Sequence, residues 1–111
     1  MPTSPDDFRI EQGVRADGAT VISVFGEVDL STADQLEAAL VALAAQRRAA
    51  VLDLSGVEFM DSSGIGVLVR ATRDADRDGW SFALAAELPE ALSRLFTLSG
   101  LDEFLHVDGV S

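Results

Sequence analysis

The run Ala50-Val51-Leu52-Asp53-Leu54, midway along a chain of 111 residues, limits the architecture more than any other stretch. Short and apolar at four of five positions, it matches a central strand buried on both faces, which needs strands beside it and a layer packed over it. Upstream, Phe8-Arg9-Ile10-Glu11-Gln12-Gly13-Val14 and Thr20-Val21-Ile22-Ser23-Val24-Phe25 alternate apolar and polar residues around Ala16-Asp17-Gly18-Ala19, a turn sequence. That pattern predicts a β-hairpin. Beyond Gly26 the period changes. Leu36, Leu40 and Leu43 recur at spacings of four and three, predicting a helix capped by Ser31 or Thr32 and ending near Gln46–Arg48, where arginines suit the negative end of the dipole.

Downstream of the central strand, Ser55-Gly56-Val57-Glu58-Phe59-Met60 reads as a loop. Ile65, Leu68, Val69 and Thr72 then mark the face of a second helix, which Gly79 stops. Trp80, Phe82 and Leu84 alternate with small residues in a fourth strand. Pro89 suits the first turn of a third helix with Ala91, Leu92, Leu95, Phe96 and Leu98 facing inward, and Gly100 ends it. Phe104-Leu105-His106-Val107 completes a fifth strand. Strands alternating with helices after an opening hairpin predict a single α/β domain built on a mixed five-stranded sheet. The domain is expected to occupy residues 8–111. Residues 1–7, which hold two of the three prolines and two acids, are expected to form a frayed leader.

Charge narrows the function. The formal net charge is -11, and all eight basic residues are scattered arginines, so no basic patch exists to neutralise the phosphates of a nucleic acid or an anionic membrane. The absence of cysteine rules out disulfides and thiolate metal sites, and a single histidine rules out an all-histidine zinc site. No apolar run is long enough to span a bilayer, and the first residues lack the basic and apolar regions of a signal peptide, so a cytoplasmic protein without a cofactor is expected. The all-arginine, alanine-rich composition points to a GC-rich bacterial genome.

Two segments can carry chemistry. Asp61-Ser62-Ser63-Gly64-Ile65-Gly66 places two hydroxyls at a strand-to-helix turn, where unpaired backbone N–H groups and the helix dipole receive anions. Its plainer role is structural, with Asp61 or Ser62 capping the helix and the glycines permitting close packing. Gly26-Glu27-Val28-Asp29-Leu30-Ser31-Thr32 gathers carboxylates at a second loop, which also reads as a turn and a helix cap. From Glu27 to Asp61 seven acids face only Arg47 and Arg48, a local excess of five negative charges. An enzyme is not expected: a serine nucleophile needs a base, and His106 belongs to the far end of the chain. Gly64-Ile65-Gly66 has neither the lysine of a phosphate-binding loop nor the spacing of a dinucleotide fingerprint.

Read together, Gly26-Glu27-Val28-Asp29, the Thr32-Ala33-x-x-Leu36 helix start, Val51-Leu52-Asp53-Leu54-Ser55-Gly56-Val57, Phe59-Met60-Asp61-Ser62-Ser63-Gly64 and Leu95-Phe96-x-Leu98-Ser99-Gly100-Leu101 resemble the bacterial anti-sigma factor antagonists of the STAS domain family. The resemblance runs in order from about Phe8 to Val107. It implies helices mainly on one side of the sheet. It also implies a mechanism: the first serine of the Asp-Ser-Ser-Gly motif, here Ser62, is phosphorylated by an anti-sigma factor that is itself a serine kinase. The unphosphorylated antagonist binds that kinase and frees the sigma factor, phosphorylation ends the binding, and a serine phosphatase reverses it. By position in the matching segments, Asp29, Asp61, Ser63 and Gly64 fall on the partner surface, and Ser63 is a second candidate acceptor. The resemblance also covers scaffold subunits of stress-sensing assemblies and small partners of membrane lipid transporters, a non-switching alternative.

Overall fold

The computed structural model describes residues 8–108 of the chain. Strand β1 (Arg9–Val14) and strand β2 (Thr20–Val28) form the expected hairpin, pairing antiparallel from Arg9 with Phe25 to Val14 with Thr20. Helix α1 (Ala33–Ala45) crosses to strand β3 (Ala50–Met60), which lies parallel to β2, and helix α2 (Ser62–Asp78) leads to the short strand β4 (Phe82–Leu84), parallel to β3. Helices α3 (Glu90–Leu98) and α4 (Leu101–Phe104) follow. The spatial order of the sheet is β1-β2-β3-β4.

The sheet thus has four strands, not the five expected. Gly100, in the left-handed conformation at φ 77°, starts a single helical turn that takes up Leu101–Phe104, so Phe104 is exposed and Leu105 drops into the core instead. Only Val107 reaches the sheet edge, where Leu84 N–H donates to His106 O at 2.8 Å and Asp108 N–H donates to Leu84 O at 2.7 Å. The expected leader at residues 1–7 lies outside the described residues, as does the end of the chain beyond 108.

A second difference bears on the site. Ser55–Met60 is not a loop: β3 runs on through it, and two register shifts against β2, between Ser23 and Phe25 and between Gly26 and Glu27, absorb the break in alternation. Along β2 one face is buried at Ile22, Val24 and Val28 and the other is half-exposed, as a sheet covered on one side requires. Ile22, Leu52 and Leu84 are fully enclosed neighbours on three adjacent strands, and Leu36, Leu40 and Leu43 of α1 with Val67, Leu68 and Thr72 of α2 complete the packed side. Val51, on the opposite face, is also buried, while Asp53 is half-exposed, so the central strand meets the two-sided burial expected of it only in part.

The helices differ from expectation in detail. Ile65 and Val69 are half-buried, and the inward face of α2 is set by Val67, Leu68, Ala71, Thr72 and Ala75. In α3, Leu92 and Phe96 point inward while Ala91 and Leu98 are exposed. Trp80 precedes β4 rather than joining it. It stacks on Phe82 with ring centroids 5.5 Å apart and its indole N–H donates to Arg48 O.

Gly79 stops α2 as expected, at φ 73°. Helix α1 ends without a glycine: Arg47 takes the left-handed conformation at φ 58°, with Arg48 N–H donating to Leu43 O at 3.1 Å. Its guanidinium serves the other helix, donating to Asp78 O at the end of α2 at 2.9 Å. Left-handed backbone strains a residue with a Cβ by about 1 kcal/mol. Arg47→Gly is therefore expected to raise the unfolding midpoint in denaturant, although it removes the exposed hydrogen bond to Asp78 O. A lower midpoint would show that the Arg47 bridge between helix ends outweighs the strain.

Candidate functional site

The parallel pairing that runs to Val28 and Met60 delivers two chain segments to the same end of the sheet. Asp61 N–H donates to Val28 O at 3.1 Å, so the turn after β3 is bonded to the end of β2. There Asp61 becomes the N-cap of α2, its Oδ1 accepting from Ser63 N–H at 2.8 Å. Ile65 N–H closes the first turn on Asp61 O at 3.1 Å. Of the two caps left open by the sequence, Asp61 is the one used, and Ser62 becomes the first residue of the helix.

Each residue of the motif therefore has a distinct setting. Ser62 is exposed, and among the described residues its hydroxyl has no side-chain hydrogen bond. Ser63 is half-buried, with its N–H held by Asp61. Gly64 is buried, because a Cβ there would lie 2.6 Å from Met60 Cγ and 2.8 Å from Val28 Cγ1. Absence of a side chain at this point lets α2 sit directly on the paired ends of β2 and β3. Gly66 is different: the nearest contact of an added Cβ would be the far end of the Arg70 side chain, at 3.1 Å, so close packing requires only the first of the two glycines.

The second loop is organised by two hydroxyls. Asp29 Oδ1 accepts from Ser31 N–H at 2.9 Å and from Ser31 Oγ at 2.6 Å. Thr32 is buried, and its Oγ1 donates to Glu27 O at 2.9 Å while accepting from Asp29 N–H at 3.0 Å. Thr32 N–H and Ala33 N–H both donate to Asp29 O, at 3.1 and 2.8 Å. Thr32 is thus the N-cap residue by position, but its side chain ties the loop to the end of β2 instead of capping α1. Hydrogen bonds from the Ser31 hydroxyl and then its N–H hold the Asp29 carboxyl below its ordinary pKa, outweighing desolvation. In the sequence Thr32 is visible only as a capping choice; its bond to β2 emerges from the fold.

Asp29, Asp61, Ser62, Ser63 and Gly64 are accordingly brought to one end of the sheet. His106 is not. It pairs with Asp76 Oδ1 at 2.8 Å, and Asp76 lies fourteen residues along α2 from Ser62, roughly 21 Å at 1.5 Å per residue. Among the described residues no three His, Asp or Glu side chains gather closely enough to hold a metal ion, and no helix is long and apolar enough to cross a membrane. The site is a surface. A groove of about 320 Å³ opens elsewhere, between β1 and the end of α1, where it is lined by Val14, Thr20, Leu43 and Arg48.

The α/β domain thus carries an exposed helix start beside an anchored acidic loop, and this is its candidate site. Comparison with known proteins bears on the fold and the family. The family model described as "Mlab, STAS domain" matches residues 12–107. The anti-sigma-B factor antagonist of Bacillus subtilis is 34% identical over 90 residues, which cover 81% of this chain and 82% of that protein. The anti-sigma-F factor antagonist RsfB of Mycobacterium tuberculosis is 38% identical over 87 residues, covering 78% and 70%. Among solved structures, an anti-sigma factor antagonist from Mycobacterium paratuberculosis superposes with a TM-score of 0.80 at 33% identity, over 98% of this chain and 92% of that one. The chain belongs to the STAS domain family, with the anti-sigma factor antagonists.

The packing of Gly64 yields a direct test. Gly64→Ala forces a methyl group against Val28 and Met60, and overpacking of this kind costs about 1–3 kcal/mol. Denaturant unfolding is expected to show that loss, whereas Gly66→Ala, facing only the flexible Arg70 side chain, is expected to be neutral or stabilising. Equal effects of the two substitutions would contradict the packing described.

Proposed function

We propose that the protein is a phosphorylation-switched anti-sigma factor antagonist and that Ser62 is the acceptor. The unmodified form binds an anti-sigma factor that is a serine kinase and displaces its sigma factor. Transfer of the γ-phosphoryl group of ATP to Ser62 Oγ, with ADP leaving and the hydroxyl proton lost, ends that binding, and a serine phosphatase restores it by hydrolysing the phosphoserine to serine and inorganic phosphate. The protein acts as a binding module in the cytoplasm, not as an enzyme, and needs no cofactor of its own. Asp29, Asp61 and Ser63 belong to the contact surface, Asp29 and Asp61 as charges, while Gly64, buried against Val28 and Met60, serves the partner surface only as the close-packed turn behind the acceptor.

The observation that carries this reading is the exposure of Ser62 at the first position of α2, with its hydroxyl unengaged among the described residues. A kinase can reach it without unfolding anything. Ser63 is less accessible, and its N–H is fixed by Asp61. The curated relatives, named as antagonists of anti-sigma-B and anti-sigma-F factors, support the partner class. A phosphate adds roughly -1.5 to -2 charge at neutral pH. Placed at a helix N-terminus it is favoured by the dipole, so the fold tolerates it. At an interface that already holds Asp29 and Asp61, the same charge adds bulk, repulsion and a large desolvation demand.

The test is to incubate the protein with anti-sigma kinases of its own organism and ATP, and to map the phosphate by mass spectrometry, with Ser62→Ala as control. Phosphate on Ser62, loss of kinase binding once it is present, and an affinity that falls as salt rises are the expected results. Phosphate on Ser63 alone would contradict the acceptor assignment. A stable complex with a transporter or stress-sensing assembly, without phosphate incorporation, would favour the scaffold role instead.

A further inference from the structure

Large apolar side chains left in water on a small domain need a reason when they lie at the same end of the sheet as a candidate site. Leu30 is 81% exposed, and Phe59 is 50% exposed. Leu30 is the second residue of the turn Asp29–Thr32, and the bonds that Ser31, Thr32 and Ala33 make to Asp29 hold that turn rigid. Phe59 lies in β3 directly opposite Glu27 of β2, one register step before the Val28–Met60 pair from which both loops spring. Both apolar groups therefore stand on fixed backbone at the Ser62 end of the sheet. Four acids accompany them, Glu27, Asp29, Glu58 and Asp61, and among the described residues none has an arginine or histidine partner. Elsewhere eight acids are so paired, Glu37 with Arg70 at 2.7 Å being an example, and five are not: Asp34, Asp53, Glu87, Asp102 and Glu103. Apolar groups on fixed backbone, with four unpaired acids at the same end of the sheet, suit an interface core and its polar rim.

From this layout we infer that Leu30 and Phe59 are the apolar anchors of the docking surface, and that the anti-sigma factor receives them in apolar recesses bordered by lysine or arginine. The inference rests on the function proposed above and adds where the affinity comes from. Charge alone gives steering and register, and small rim charges contribute little once solvated. Affinity comes from burying large side chains that stand on backbone already held in place. It also gives phosphorylation a lever: a dianion on Ser62 must be stripped of water before Leu30 and Phe59 can be buried, so one modification opposes the whole apolar contact. Nucleic acid and anionic lipid fit this surface poorly, because both would add phosphates to an acidic border.

Leu98, also 81% exposed but on α3, provides a matched control. The experiment uses Leu30→Ser, Phe59→Ser and Leu98→Ser, with thermal unfolding to confirm the fold. Each is measured for Kd with the anti-sigma kinase that phosphorylates Ser62, and for kcat and KM of that phosphorylation. Leu30→Ser and Phe59→Ser are each expected to raise Kd and KM by about 10-fold, with kcat within about 2-fold of the wild type, and Leu98→Ser to change neither. The exposure of Leu30 makes Leu30→Ser safe for folding, so it remains decisive if Phe59→Ser is unstable. Wild-type binding by folded Leu30→Ser, or a loss in Leu98→Ser equal to that in Leu30→Ser, would overturn the inference while leaving the switch intact. If the wild-type protein neither binds nor receives phosphate from any anti-sigma kinase of its organism, the proposed function and this inference both fail.

Discussion

The parallel pairing of β2 with β3, from Thr20 opposite Ala50 to Val28 opposite Met60, is the constraint on which the rest of the molecule depends. Side chains alternate across a strand, so a slip of one residue would turn Ile22, Leu52 and their neighbours out of the core. The same register decides where the two loops emerge. Asp61 N–H reaches Val28 O only because β3 ends level with β2, and α2 rests on both strands because Gly64 has no side chain to hold it off. Core and site are therefore one piece of packing. A change that disturbs the Val28–Met60 contact is felt at Ser62, and the hairpin partner β1 contributes by completing the other side of β2.

Electrostatics divides the surface by location. On the helices, arginines neutralise acids, as Arg70 does Glu37 and Arg77 does Asp74 and Asp78. Arg15 reaches Asp108 at 2.6 Å and Asp17 at 2.6 Å, joining the opening hairpin to the segment that bridges β4. Its guanidinium pKa is raised mainly by the hydrogen bond to Asp108, then by that to Asp17. At the Ser62 end the acids have no such partners among the described residues, and hydrogen bonds from Ser31 hold the Asp29 carboxyl below its ordinary pKa. Exposed pairs contribute little to stability. Asp34, Asp53, Glu87, Asp102 and Glu103 are likewise without an arginine or histidine partner among the described residues, so what marks the Ser62 end is that four unpaired acids lie there with an exposed serine, where their charge is available to a partner.

Much of this is legible in the sequence, and the misses have physical causes. The hairpin, α1, α2 and the glycine stops at Gly79 and Gly100 follow from period and turn chemistry, which are local properties. The extension of β3 through Ser55–Met60 is hidden because the register shifts near Phe25 and Gly26 break the alternation that marks a strand. The segment Phe104–Val107 has a strand's composition, yet Gly100 commits the chain to another helical turn, leaving only Val107 to meet Leu84. Hydropathy likewise says that Leu30, Leu98 and Phe104 are apolar, but not that they lie outside the core. At the site, the hydroxyls and the cap at Asp61 are readable as a motif. Which serine faces solvent, and how Thr32 fastens the Asp29 loop, depend on neighbours that are distant in sequence or set by β2.

The central claim is that Ser62 switches the protein through its surface and leaves the fold in place. Backbone amide spectra of the Ser62-phosphorylated and unmodified proteins test it most directly. The account predicts shifts confined to the two loops and the start of α2, roughly residues 27–32 and 59–66, with β4, α3 and the hairpin turn unchanged. Shifts of similar size spread through β4 and α3 would mean that phosphorylation acts by remodelling the domain, and would contradict the account.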